Sequence, residues 1–411
     1  MKWLPVLLLF ILSNSQLRAQ TKTLDYYLEQ AVSNSPLLKD LNNQVASSKL
    51  DSLGLRASYR PQVNLNTAGY YAPVIKGYGY AEAITNKQTF NALLGVNKQL
   101  VSKGYMNAQV MAITLQRDSL INAGKLSAQD LKRTIIGQYI TAYGSLQQVK
   151  FNIEIVKLLS GEESLLKKLT RSNVYKQSEY LAFLVTLKQQ QLQLLQAQLQ
   201  YKNDFATLNY IAGIADTSAV ELSDPSLQRA TSAQVHNSIF FKQYQLDSLR
   251  LATSHSLVNY SYRPQANIFA DGGYNSDFLV QPYKNFGASV GFTITMPIYD
   301  GGQRKLQYKR IKLEEETRQT YKAFFNTQYR QQINQLNQQI SETEKLIGEI
   351  NAQTKYSESL IKVDTQLLQT GDVKIADLIL AINNYYSVKN LLTQTSVSRL
   401  QLINQLNYWN K

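Results

Sequence analysis

The sequence predicts an α+β membrane protein in which a trimeric, twelve-stranded β-barrel, four strands from each chain, continues into long coiled-coil helical hairpins. Three observations predict it. First, the chain repeats itself: Leu208-Asn209-Tyr210 returns as Leu406-Asn407-Tyr408, and Ser58-Tyr59-Arg60-Pro61-Gln62 returns as Ser261-Tyr262-Arg263-Pro264-Gln265. A spacing of about 200 residues makes each copy a whole sub-assembly, far larger than a solenoid repeat. Second, each copy holds two segments whose apolar residues recur with period two. Third, each copy closes on a long proline-free run with a helical period.

Residues 1–19 read as an export signal: Lys2 gives a positive start, Pro5 through Leu12 an apolar core, and Leu17-Arg18-Ala19 a cleavage site before Gln20. The apolar stretch is shorter than the ~20 residues of a membrane helix, and no later segment approaches that length. A helical inner-membrane protein is thereby excluded. The chain has no cysteine, which excludes disulfides, thiol catalysis, thiolate metal sites and a lipidated N-terminal cysteine. Its formal net charge is +14, and it stays strongly positive when Lys2 and Arg18 leave with the signal. Because the basic residues are spread along Gln-rich helices and form no run interleaved with aromatics, nucleic acid is not the expected partner. Anionic lipid headgroups or lipopolysaccharide, and charge balance within a complex, are the expected sinks.

Proline places the elements, because it breaks helix interiors. In the mature chain it stands at Pro36, Pro61, Pro73, Pro225, Pro264, Pro282 and Pro297, leaving proline-free runs from Val74 to Asp224 and from Ile298 to Lys411. The expected organisation is a first repeat at 20–213, a connection at 214–236 and a second repeat at 237–411. Each repeat holds a helix, a β-hairpin (about 62–100, then about 265–298) and a long helical hairpin, with tips near 171–179 and 369–377. In the last run Ile333, Leu336, Ile340, Ile347, Ile350, Ile361 and Leu368 alternate steps of three and four, with Thr343, Thr354, Ser357 and Asp364 on the same seam. That is a coiled-coil period with a diluted, polar core. From Gly302 to Thr370 a continuous helix would be roughly 100 Å long. Leu346, Leu360 and Leu367 form a flanking stripe, so this helix expects a second neighbour. Gly371 then supplies the left-handed residue that ends a helix before a reversal, and Asn173 stands at the equivalent position of the first copy. The stretch Lys188 to Gln200 looks low in complexity, but Leu192, Leu195 and Leu199 keep helical spacing; it reads as helix with its glutamines on the wet faces.

The strands follow from alternation. Ala266, Ile268, Ala270, Gly272 and Tyr274 alternate with Gln265, Asn267, Asp271 and Asn275; Phe286, Ala288, Val290, Phe292, Ile294, Met296 and Ile298 alternate with small or polar residues. The first copy does the same, with Val63, Leu65 and Tyr71, then Phe90, Ala92, Leu94 and Val96. Such lengths suit tilted membrane strands with a wet alternate face. Phe286, Val290, Phe292 and Ile294 are the expected lipid-facing set. Tyr70, Tyr71, Tyr78, Tyr80, Tyr274 and Tyr283 gather at the strand and loop ends, as an interfacial aromatic girdle would. Four strands cannot close a barrel, and open edges are not tolerated in lipid, so copies from other chains should complete it as a homotrimer.

The mature N-terminus, Thr23-Leu24-Asp25-Tyr26-Tyr27-Leu28-Glu29-Gln30-Ala31-Val32-Ser33-Asn34-Ser35-Pro36, resembles the opening helix of TolC-type outer-membrane efflux proteins. The Tyr-Arg-Pro-Gln strand entries, the strand exit Met296-Pro297-Ile298-Tyr299-Asp300-Gly301-Gly302, and the tip Gly371-Asp372 with Ala376-Asp377-Leu378 resemble that family too. The resemblance implies a trimeric tube in the outer membrane, with a twelve-stranded membrane β-barrel, a long α-helical barrel of coiled-coil hairpins reaching across the periplasm, and a mixed equatorial belt. It implies a passive exit duct of a tripartite efflux or type I secretion system, coupled by a periplasmic adaptor to an inner-membrane pump of the RND or ABC class. It places the adaptor at Asn173, Val174, Gly371, Asp372 and Val373, and the pore constriction at Asp377, Glu179 and Leu380. The family carries an acidic residue where Leu380 stands, so the entrance should be more apolar. The first-copy strand exit, Gln99-Leu100-Val101-Ser102-Lys103-Gly104, lacks the proline and aspartate of the second.

An enzyme has little to work with. The two histidines, His236 and His255, have no partner at ligand or triad spacing, and the pairs Glu162-Glu163 and Glu314-Glu315-Glu316 lie on helix surfaces. Neither a nucleotide loop nor a metal-ligand cluster is present, so no cofactor is expected. The competing reading is a periplasmic coiled-coil scaffold without a pore, which leaves the strand alternation unused.

Overall fold

In the computed structural model the described residues are 22–81, 88–230, 238–277 and 284–410. The expected signal peptide, His236 and Tyr283 lie outside them. In chain order the elements are α1 (Leu24–Asn34), α2 (Pro36–Ser58), β1 (Gln62–Tyr71), β2 (Gln88–Leu100), α3 (Lys103–Arg171), α4 (Gln177–Ile211), α5 (Ile239–Ser261), β3 (Gln265–Ser276), β4 (Phe286–Thr295), α6 (Gln303–Thr370) and α7 (Ile375–Trp409). The chain divides into two units. One comprises Met1–Lys39, Lys125–Ser238 and Asn326–Lys411, the other Asp40–Gly124 and Ile239–Phe325.

The second unit carries one four-stranded antiparallel sheet in the order β1-β2-β3-β4. Its two hairpins are joined through β2 and β3, where Phe90 pairs with Ser276 and Leu100 with Ala266. Strands β1 and β4 are left as open edges. Beneath the sheet, the duplicated Tyr-Arg-Pro-Gln segments make the same turn twice: Arg60 N–H donates to Ala57 O at 3.0 Å and Arg263 N–H to Tyr260 O at 3.1 Å. Proline then starts each strand, where its missing donor costs nothing. Asp300 caps α6, accepting from the Arg304 N–H at 2.7 Å and the Gly302 N–H at 2.8 Å. The Tyr262 hydroxyl and these backbone donors hold the Asp300 carboxyl below its ordinary range.

The helical unit is built on α3 and α6, of 69 and 68 residues. The seam of α6 is the expected one: Leu336, Ile340, Ile350, Thr354, Ser357, Ile361, Asp364 and Leu368 are all buried. Toward the hairpin turns, Phe151, Ile155, Leu159 and Leu166 of α3 pack with Phe183 of α4 and with Ile375, Leu378 and Ile382 of α7. Farther back, Tyr27 and Ala31 of α1 meet Ile135 and Tyr139 of α3 and Tyr201, Phe205 and Leu208 of α4. The Tyr139 hydroxyl lies 2.8 Å from Ser223 O and 3.1 Å from Lys22 O, fastening both flanking segments to this core.

One expectation fails on α4. Gln190 is buried at 3% exposure, whereas Leu192, Leu195 and Leu199 stand out. Inside the chain, α4 packs through Phe183, Leu187, Gln190, Ala197 and Tyr201. The leucines form a second stripe on another side, continued by Leu181 and Val185 at alternating steps of four and three around Lys188. Helix α6 carries a matching outer stripe of Leu346, Tyr356, Leu360, Val363 and Leu367. Tyr274 stands in the last paired row of β3 and β4, at the loop end of the sheet, and is buried there, with the ring centroids of Phe90 and Phe286 6.1 and 5.9 Å away.

Where α3 meets α7, the helices approach through Gly144, where a Cβ would lie 2.5 Å from Val397 Cγ2. Replacing Gly144 with Val should therefore push the helices apart and cost about 1–3 kcal/mol. The check is thermal unfolding of the detergent-extracted protein, and an unchanged midpoint would refute the close approach.

Candidate channel wall and tip

Register converts the alternating strands into two surfaces. Val63 faces Val96, Leu65 faces Leu94, Val96 faces Ala270, Ala270 faces Val290 and Ile268 faces Phe292. Directly opposed residues share a face. One face of the whole sheet is therefore apolar, and it carries the expected lipid-facing set: Phe286, Val290, Phe292 and Ile294 are 62–80% exposed. A soluble sheet would bury such a face against a second layer. The opposite face presents Gln62, Asn64, Asn66, Asn97, Asn267, Asp271, Ser289 and Thr293, with Ser289 Oγ donating to Asp271 at 2.8 Å.

Two side chains on this polar face escaped the sequence reading, Leu93 and Phe269. Phe269 sits over its partner Gly291, where a Cβ would come 2.4 Å from the ring. The pairing of an aromatic with a glycine across neighbouring strands was the available signal, but it needs the register to be seen. His255 stacks against Tyr308 with centroids 4.5 Å apart. Among the described residues no group of three His, Asp or Glu side chains converges for a metal.

The two hairpin turns lie in the helical unit and share a design. Asn173 at φ 58° and Gly371 at φ 83° are both left-handed. Each reverses its chain in the same way, with Val174 N–H donating to Leu169 O and Asp372 N–H to Leu367 O, which is the helix-ending pattern of a left-handed cap. Between the turns, the Tyr175 hydroxyl lies 3.0 Å from Leu368 O and 2.9 Å from Val373 O, so the first turn is tied to the second. Val174 and Asp372 are exposed and Val373 is half-buried.

The predicted constriction residues separate in kind. Glu179 is occupied: its carboxylate accepts the Lys176 N–H at 3.0 Å and caps α4, a placement the helix macrodipole favours. Asp377, at the equivalent turn of α7, is exposed, and its carboxylate has no hydrogen bond or ion pair among the described residues. Leu380, three residues on, is 60% exposed. A further carboxylate belongs to this region. Asp364 on α6 is 8% exposed and also lacks a hydrogen-bond or ion-pair partner among the described residues. Burial, with Asp377 as a second negative charge, raises its carboxyl above the ordinary range.

No protein-family model matches the chain, and no curated protein matches it in sequence. Solved structures do match. A membrane protein from Pseudomonas aeruginosa superposes with a TM-score of 0.77 at 12% identity, over 94% of this chain and 89% of that one. The outer-membrane protein VceC of Vibrio cholerae gives 0.74 at 13% identity, over 94% and 96%. The outer-membrane channel MtrE of Neisseria gonorrhoeae, in its open state, gives 0.75 at 12% identity, over 94% and 88%.

Asp364 supplies a pH test. A carboxyl with a raised pKa in the folded state opposes packing once ionised, so its stabilising contribution is complete below the ordinary Asp pKa and lost as pH rises through the raised value. Asp364→Asn should therefore unfold at higher temperature than wild type at about pH 8, with the difference vanishing toward about pH 4. A variant that is equally or less stable at the higher pH would rule this out. The fold of this chain is that of the outer-membrane channels it superposes on, as the TolC-type resemblance in its sequence implied.

Proposed function

We propose that this chain is a channel of the outer membrane, extending into the periplasm, and the passive exit duct of a tripartite efflux or type I secretion system. One observation carries the proposal: a four-stranded sheet with an exposed apolar face, a polar opposite face and two open edges, in a chain with the fold of outer-membrane channels. In lipid the edge N–H and C=O groups must be paired, and copies of the same sheet are the partners at hand. Three chains then close twelve strands with the polar face inward.

The helical unit supports assembly as well. The outer stripe of α4 (Leu181, Val185, Leu192, Leu195, Leu199) and that of α6 (Leu346, Tyr356, Leu360, Val363, Leu367) are exposed and follow the coiled-coil period. A homotrimer gives each stripe a neighbouring protomer to pack against.

At the tips, Asn173, Val174, Gly371, Asp372 and Val373 offer the periplasmic adaptor an exposed surface, and an inner-membrane pump of the RND or ABC class supplies the energy. Asp377 is the residue proposed to line the constriction, because it is exposed and unpaired where Glu179 is engaged in capping. Three copies would form an acidic ring favouring cations, with Leu380 as an apolar ring beside it. Catalytic and cofactor-binding residues are assigned none. The scaffold alternative is disfavoured by the apolar sheet face, which it leaves open to water.

Planar-bilayer conductance of detergent-purified protein, with its mass, tests the proposal. Small cation-selective currents from a trimer are expected, and Asp377→Ala should weaken the selectivity. A monomer that never inserts would overturn the barrel, and unchanged selectivity in the variant would remove Asp377 from the pore.

A further inference from the structure

The charge of this chain is unevenly placed around the sheet. Consider the end from which β1 and β3 start and at which β2 and β4 finish, together with the first turns of the adjoining helices. There the sequence places Arg56, Arg60, Lys98, Lys103, Arg263, Arg304 and Lys305 against the single acid Asp300. Asp300 is already committed to Tyr262 and to the α6 cap. Arg60, Lys98, Lys103, Arg263 and Lys305 are exposed, and none has an ion-pair partner among the described residues. In the loop sequences at the other end of the sheet basic and acidic residues nearly balance: Lys76, Lys87 and Lys284 against Glu82 and Asp277.

Lys98 fixes what this cluster faces. In register it opposes Ile268, and it lies between Val96 and Leu100 on the apolar surface. Among the described strand residues it is the sole charge on that surface. A lysine on a lipid-facing strand is tolerated at the membrane boundary, where its stem lies along hydrocarbon and its ammonium reaches the headgroups. The row of Lys98 is therefore the level of a headgroup layer. Just below it stand Ile298 and Tyr299, each about nine-tenths exposed, and Arg263 and Arg304, whose guanidinium groups lie over the rings of Tyr260 at 4.6 Å and Tyr262 at 5.3 Å. Cations beside amphipathic rings, at the lower rim of an apolar wall, match the chemistry of a phosphodiester headgroup above its acyl chains.

We infer that Lys98, Lys103, Arg263, Arg304 and Lys305, with Tyr299, form a collar that binds anionic phospholipid at the leaflet on the helical side of the barrel. The inference rests on the barrel reading above and adds to it a lipid class and the residues that select it. Each cation near an anionic surface contributes about a fivefold preference, and the preference weakens as salt is raised.

The test uses the full chain reconstituted into vesicles of phosphatidylcholine containing about one-fifth phosphatidylglycerol, a proportion at which anionic enrichment can be read. The protein is extracted gently, and the lipids it retains are counted by native mass spectrometry. Wild type should carry phosphatidylglycerol well above its share of the vesicle. Lys98→Gln should lower that enrichment about fivefold, Lys98→Gln combined with Lys103→Gln and Lys305→Gln should abolish it, and Lys98→Arg should keep it. Capture of the two lipids by wild type in proportion to the vesicle's composition, or undiminished enrichment in both glutamine variants, overturns the collar while conductance leaves the barrel standing. Failure of wild type to insert into these vesicles overturns the barrel, and the collar with it.

Discussion

The constraint on which the rest depends is the unpaired backbone along β1 and β4. A sheet with one apolar face belongs against hydrocarbon, where an unpaired N–H or C=O costs several kcal/mol and no water is present to relieve it. Edge strands in soluble proteins are blunted by charge, bulges or covering loops. Here β1 runs Gln-Val-Asn-Leu-Asn-Thr-Ala-Gly-Tyr-Tyr and β4 runs Phe-Gly-Ala-Ser-Val-Gly-Phe-Thr-Ile-Thr, with no charge between them. Neither edge carries such protection, and under the proposed closure both would be joined to copies of the same sheet.

The helical unit solves a different problem. Its seams are not filled with leucine: α6 buries Thr354, Ser357 and Asp364, and Gln190, Asn209 and Asn404 are buried on α4 and α7. Two buried asparagines bind backbone across helices: Asn404 Nδ2 donates to Arg133 O at 2.9 Å, and Asn152 Nδ2 of α3 donates to Gln193 O at 3.3 Å. Such bonds fix the register between helices at the cost of some stability. The cost is visible where they fail, since Gln190 Oε1 and Thr365 Oγ1 are buried without a partner. A long hairpin held by such a seam is well specified in register and modestly held together.

Much of this was legible before any coordinates. The α6 seam from Leu336 to Leu368 could be read because three-and-four spacing survives polar substitutions, and the strands because period two does not occur by accident over ten residues. The left-handed residues Asn173 and Gly371 follow from the restricted menu of helix endings. What escaped was everything that depends on which of two stripes faces inward. On α4, leucines and glutamines compete for the interior, and the sequence favours the leucines because isolated chains bury apolar groups. The structure buries the stripe of Phe183, Gln190 and Tyr201 and leaves the leucines exposed. The burial of Tyr274 was hidden too, because Phe90 and Phe286 come beside its ring only once the strands pair. At the tip, Glu179 and Asp377 look equivalent in sequence, and only the Lys176 N–H distinguishes a capping carboxylate from a free one.

The hydroxyl of Tyr175 has a mechanical consequence. It bridges the carbonyls that begin and end the second reversal, so neither hairpin of a chain can swing while its partner stays in place. A ring of three such chains would have three moving jaws in place of six, each a stiff double lever fastened at its free end. Fewer independent jaws make a sharper transition between shut and open, since an intermediate aperture would require a chain to break its own internal latch.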